Sequence, residues 1–123
     1  MTMKLNQTEG LAIVEKYDAV FNYLYSPILN LPHAHMEFRK SMLRLLLRIP
    51  GEIYLAIKLD QVSKVNAVDS SLAELRWHLR FAGKPRDEVK MRMLTPQQHE
   101  VAECLIAEVG SMVNKIQKRL KSK

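Results

Sequence analysis

The residues whose type and spacing could do chemistry in this 123-residue chain are mostly basic. Lys40, Arg44 and Arg48 fall at i, i+4 and i+8, and Arg76, Arg80 and Lys84 repeat that spacing further along. In helical conformation each set becomes a row on one face. Like charges one turn apart destabilise an isolated helix by about 0.2–0.5 kcal/mol per pair, so two such rows call for a partner. Phosphate is one: the guanidinium is a planar fork of donors that stays charged, and a row of them can track a polyanionic backbone. Internal pairing is the alternative, because Arg48 can reach Glu52 and Arg76 can meet a glutamate on a neighbouring helix. Lys115, Lys118 and Arg119 form a weaker group in the basic end KIQKRLKSK, where a cation also suits the negative pole of a helix.

Trp77 and Phe81 share a helix face beside these arginines. They could form a base-stacking platform. The commoner reading of such a pair is a packed aromatic pair or a subunit contact.

Other chemistry does not assemble. Cys104 stands among Val101, Leu105 and Ala107 with no base nearby, and reads as a buried or half-buried small apolar residue. His33 and His35 fall in a loop. His99 and Glu103 are one turn apart, but the Glu-x-x-His pattern of bundle metal sites is absent, so the histidines read as surface groups. No Gly-rich phosphate loop occurs. Asp87-Glu88 reads as charged loop, and Glu100, Glu103 and Glu108 as a solvated helix face. The expectation is therefore a non-enzyme with no metal and no cofactor.

The elements that must position the basic rows are helices. Val14, Tyr17, Phe21, Leu24 and Ile28 are spaced 3-4-3-4, with Ile13 and Val20 widening the stripe, which predicts a helix over 8–29 capped by Thr8. Pro27 should perturb its last turn, and Pro32 helps end it. A second helix is predicted over 35–59, with Phe38, Met42, Leu45, Ile49, Ile53 and Ala56 as its main stripe. Leu43, Leu46, Leu47, Tyr54 and Ile57 extend its apolar surface further than one small bundle needs, which points to a central position or self-association. Pro50-Gly51 predicts a kink there, or a break into two helices.

The third helix is predicted over 65–82 from Val65, Val68, Leu72, Leu75, Leu79 and Ala82, or from a later start at Asp69. Residues 84–94 read as a charged loop. The fourth opens at Thr95-Pro96-Gln97-Gln98, a capping box with proline at the first helical position. Its predicted core is Ala102, Leu105, Val109, Met112 and Ile116, flanked by Ile106, Val113 and Leu120. Gly110 costs that helix about 1 kcal/mol relative to alanine, which a close helix contact could offset. The expected fold is an all-α, antiparallel, up-down-up-down four-helix bundle, one domain over 1–123 with frayed ends at 1–6 and 120–123.

Composition agrees with that class. Apolar residues at 47% can build a core, and the net charge of +6 favours a polyanionic partner. A lone cysteine permits no internal disulfide and suits a reducing compartment, so the cytoplasm is expected. No apolar stretch reaches the ~20 residues of a membrane span, and the first ten residues lack a signal-peptide pattern.

Three segments carry a family resemblance: VEKYDAVFNYLY (14–25), QVSKVNAVDSSLAELRWHLRF (61–81) and LIAEVG (105–110). The chain resembles, over nearly its whole length, the accessory variability determinant (Avd) proteins of diversity-generating retroelements. These belong with the four-helix bundles encoded in intervening sequences of 23S ribosomal RNA genes. The resemblance implies a homopentameric barrel of bundles with a basic surface. It also implies binding to the retroelement's reverse transcriptase and to nucleic acid: template RNA, and DNA or RNA–DNA hybrid. The polymerase would copy a template repeat with errors at adenines, and this chain would be its accessory. Arg76 and Arg80 lie within the matching segment, whereas the other basic residues rest on periodicity alone. Two further readings stay open: an intervening-sequence bundle without a reverse transcriptase, and a structural bundle whose basic surface serves solubility.

Overall fold

The computed structural model describes residues 7–83 and 93–121. Helix α1 spans Gln7–Leu29, α2 Met36–Leu59, α3 Val62–Gly83 and α4 Pro96–Lys121, with a short 3-10 turn at His33–His35 before α2. Each helix packs on its neighbours in chain order, and α1 closes the ring against α4, while the backbones of diagonal helices stand further apart. Short links between long helices enforce antiparallel neighbours, so the arrangement is the up-down-up-down four-helix bundle that the stripes predict.

The turns have identifiable chemistry. Asp60 adopts a left-handed conformation (φ 52°) and its N–H donates to the Ala56 carbonyl, closing α2. Arg39 donates to the carbonyls of Leu29 and Leu31, covering the open C-terminus of α1. At the start of α4 the capping box is reciprocal: the Gln98 N–H donates to Thr95 Oγ1 and the Thr95 N–H to Gln98 Oε1, both at 3.0 Å. Past α3, the N–H groups of Met93 and Leu94 both donate to the Ala82 carbonyl, and Leu94 is buried. The end of the expected charged loop thus plugs the bundle, while 84–92 lie outside the described residues.

The α3 stripe is buried at all six expected positions. On α1 and α4 the buried line is rotated slightly. Ile13 and Val20, and Ile106 and Val113, take central places, whereas Val14, Phe21, Leu105 and Met112 pack at the margin. A period of 3.6 lets two overlapping stripes fit one sequence, and only the neighbouring helices decide between them.

Several expectations are corrected. Of the two outcomes expected at Pro50, the break does not occur, since α2 is one helix, while α1 ends at Leu29 as expected. α3 starts at Val62, so Asp69 caps nothing. α1 starts at Gln7, which puts Thr8 inside it. His35 is buried, because the 3-10 turn folds it inward. Cys104 is exposed, on the outer side of α4.

Candidate nucleic-acid interface

Buried residues of α3 face the core, and Arg76 and Arg80 flank that line on the side toward α4. The Arg76 guanidinium lies directly over Gly110, where a Cβ would collide with it. This is the close contact that a glycine within α4 implies. One turn on, Arg80 faces the first turns of α4, where the His99 ring rests against Gly83. Arg76, Trp77, Arg80, His99 and Glu103 together line a shallow, open depression in the α3–α4 groove. Neither arginine has an acidic partner within 4.0 Å among the described residues. Glu103 lies nearest to His99, at 3.7 Å from Nε2.

Trp77 crests this groove with 58% of its surface exposed. Behind it runs an aromatic ladder: Trp77 stacks on Phe81 (centroids 5.5 Å, 21°), and Phe81 on Phe38 of α2 (5.5 Å, 23°). His78 abuts both ends and is held by Ser41 and the Glu74 carbonyl.

The α2 row is differently placed. Arg48 turns toward α3, donating to Ser71 Oγ and Glu74 Oε2 at 3.2 Å each, with Glu52 Oε2 at 3.8 Å. The exposed pair with Glu74 is worth only about 0–1 kcal/mol, but it occupies the guanidinium. Lys40 and Arg44 project into solvent from the same row. The two rows therefore flank different grooves, α2–α3 and α3–α4, and do not form one plane. Lys115 and Lys118 are exposed near the far end of α4, whereas Arg119 Nη1 grips both carboxylate oxygens of Glu9 (2.8 and 2.9 Å). Lys84 lies outside the described residues.

Sequence reasoning missed His99 as a wall of the arginine groove and Ser71 and Glu74 as the holders of Arg48. Only Gly110 gave a local signal for the groove, as a glycine inside a helix. Among the described residues no group of three His, Cys, Asp or Glu side chains could hold a metal. No described helix is long and apolar enough to cross a membrane.

A second surface is apolar. Leu47 (60% exposed) and Tyr54 (53%) stand seven residues apart on α2, and Leu11 (54%) and Tyr25 (37%) fourteen apart on α1. Gly10 against Ile57, and Tyr17 against Leu46, set the register of these antiparallel helices, which brings the four residues to one face. Half-buried Val14, Phe21 and Leu43 underlie it.

No curated protein matches the chain. A family model described as bAvd-like matches residues 11–120, which takes in α3, α4 and the groove between them. The chain therefore belongs to the bAvd-like family and is an accessory protein of the Avd type.

Proposed function

We propose that the protein is the non-catalytic accessory of a diversity-generating retroelement, binding the reverse transcriptase and nucleic acid (template RNA and RNA–DNA hybrid) to support mutagenic cDNA synthesis. The observation that carries the nucleic-acid part is the Arg76–Arg80 pair, exposed beside one open groove with no carboxylate to neutralise it among the described residues. A cation pair left unsatisfied inside the protein is available to phosphates. Lys40 and Arg44 extend the basic surface toward α2, and Lys115 and Lys118 toward the end of α4. Arg48 and Arg119 serve it less directly, since each already holds a glutamate.

The apolar α1–α2 face supports self-association, and the family suggests a pentamer. Four large side chains exposed on one face favour burial against another copy.

Binding of RNA and of RNA–DNA hybrid, measured against salt concentration, tests the nucleic-acid part. Affinity should fall steeply with salt, and Arg76→Ala/Arg80→Ala should lower the log–log slope by about 1.4–1.8, as for two lost phosphate contacts. Unchanged affinity in a folded double variant would remove both arginines from the site.

A further inference from the structure

We propose that Trp77 is a stacking platform for one unpaired nucleobase, with Arg76 and Arg80 holding the phosphates on either side of it, so that the α3–α4 groove selects single-stranded over duplex nucleic acid. The inference rests on the nucleic-acid reading above and adds to it which form of nucleic acid the site takes.

Exposure comes first. A tryptophan buries more apolar area than almost any other side chain when it finds a partner, yet Trp77 leaves 58% of its surface in water. It is not loose. The indole is stacked on Phe81, which is stacked on Phe38, and the His78 ring stands at 83° to it. The ladder fixes the indole plane, so a planar ligand arriving on the outer face meets a pre-oriented surface.

Charge comes second. Arg76 and Arg80 stand one residue before and three after Trp77 and line the same depression. The Arg76 guanidinium lies over Gly110. Aromatic surface between two guanidinium groups that no described carboxylate approaches within 4.0 Å matches a nucleotide, which is a flat base carried on an anionic backbone. A purely apolar partner would leave both arginines without counter-charge. A duplex offers the phosphates but keeps its bases stacked inside, where Trp77 cannot reach them. Among the described residues one carboxylate, Glu103, shares the lining, on the α4 wall at 3.7 Å from His99 Nε2 and more than 4.0 Å from either guanidinium.

Trp77 is the sole tryptophan in the chain, so its emission reports on this position alone. The experiment titrates the full-length protein with a mixed-sequence single-stranded RNA oligonucleotide, and separately with the same strand annealed to its complement. Indole emission is followed in the wild type. Anisotropy of the labelled RNA is followed for the wild type, Trp77→Ala and Trp77→Phe, with helicity checked by circular dichroism. Single-stranded RNA should quench Trp77, and the duplex should bind without quenching it. Trp77→Ala should weaken single-strand affinity about tenfold, within the range for loss of a base-stacking aromatic, with duplex affinity unchanged. Trp77→Phe should recover most of the loss.

Salt-dependent RNA binding with unaltered emission and an unaffected Trp77→Ala would overturn the platform while leaving the arginine site standing. Equal losses for strand and duplex would overturn it as well, by showing that the side chain acts through shape and not through stacking. Absence of any RNA binding by the wild type would remove both readings. Emission that responds to a purified reverse transcriptase and not to RNA would assign Trp77 to a protein contact instead.

Discussion

The Tyr17 hydroxyl donates to the Leu46 carbonyl at 2.7 Å, inside the core between α1 and α2. Leu46 is the residue whose carbonyl would accept from position 50, and Pro50 has no N–H to give. The tyrosine supplies the missing donor, and α2 passes through the proline as one helix. Removing the hydroxyl should therefore cost more than an ordinary hydrogen bond. Tyr17→Phe is expected to destabilise the protein by about 1–3 kcal/mol, the cost of a buried acceptor left unsatisfied. In a Pro50→Ala background, where an N–H again reaches Leu46, the same substitution should cost about half as much or less. Denaturant melts of the four proteins measure this coupling, and additive effects would show that tyrosine and proline are independent.

The same tyrosine should leave a mark at alkaline pH. Burial, and secondarily the Glu52 carboxylate, push the Tyr17 phenol well above its ordinary 10.0. The unfolded chain releases that proton near the ordinary value while the folded protein retains it. The contribution is thus fully present below 10.0 and declines as pH rises beyond it. The stability gap between wild type and Tyr17→Phe should narrow from about pH 9 to about pH 11. A gap that stays constant would mean the phenol ionises alike in both states.

Two helix-interior glycines should respond oppositely to alanine. At Gly10 a new Cβ would press on the Ile57 side chain, wedged between α1 and α2. Gly10→Ala is expected to lose about 1–2 kcal/mol after its gain in helix propensity. At Gly110 the obstacle is the end of Arg76, which can swing into solvent. Gly110→Ala should keep stability or gain up to about 1 kcal/mol, and should weaken RNA binding by unseating the arginine. Thermal melts paired with RNA anisotropy separate the two, and equal destabilisation would contradict the seat described for Arg76.

The apolar face makes a prediction about assembly. Leu47→Glu/Tyr54→Glu should give monomers of undiminished helicity in sedimentation, since both side chains stand in solvent in the single chain. An unchanged oligomer would move the subunit contact elsewhere.

How much of this was legible in the sequence varied with how local its cause is. The Thr95-Gln98 box is set by four consecutive residues and formed as read. The α3 stripe is legible because most of the residues between its positions are polar, and all of it is buried. The break offered at Pro50 does not occur because its rescue comes from Tyr17, thirty-three positions away by number and on another helix. The basic rows were visible by spacing. Their different conditions were not, since Arg48 meets Glu74 on α3 whereas Arg76 lies over Gly110 on α4. Such pairing depends on helix rotation and register, which periodicity leaves free.

The accessory role itself is tested most directly by native mass spectrometry of this chain co-expressed with any reverse transcriptase encoded beside it. The expected result is a stable complex in which several copies of this chain carry one polymerase, with RNA retained. A homo-oligomer that never captures the polymerase, or a gene with no polymerase beside it, would contradict the role.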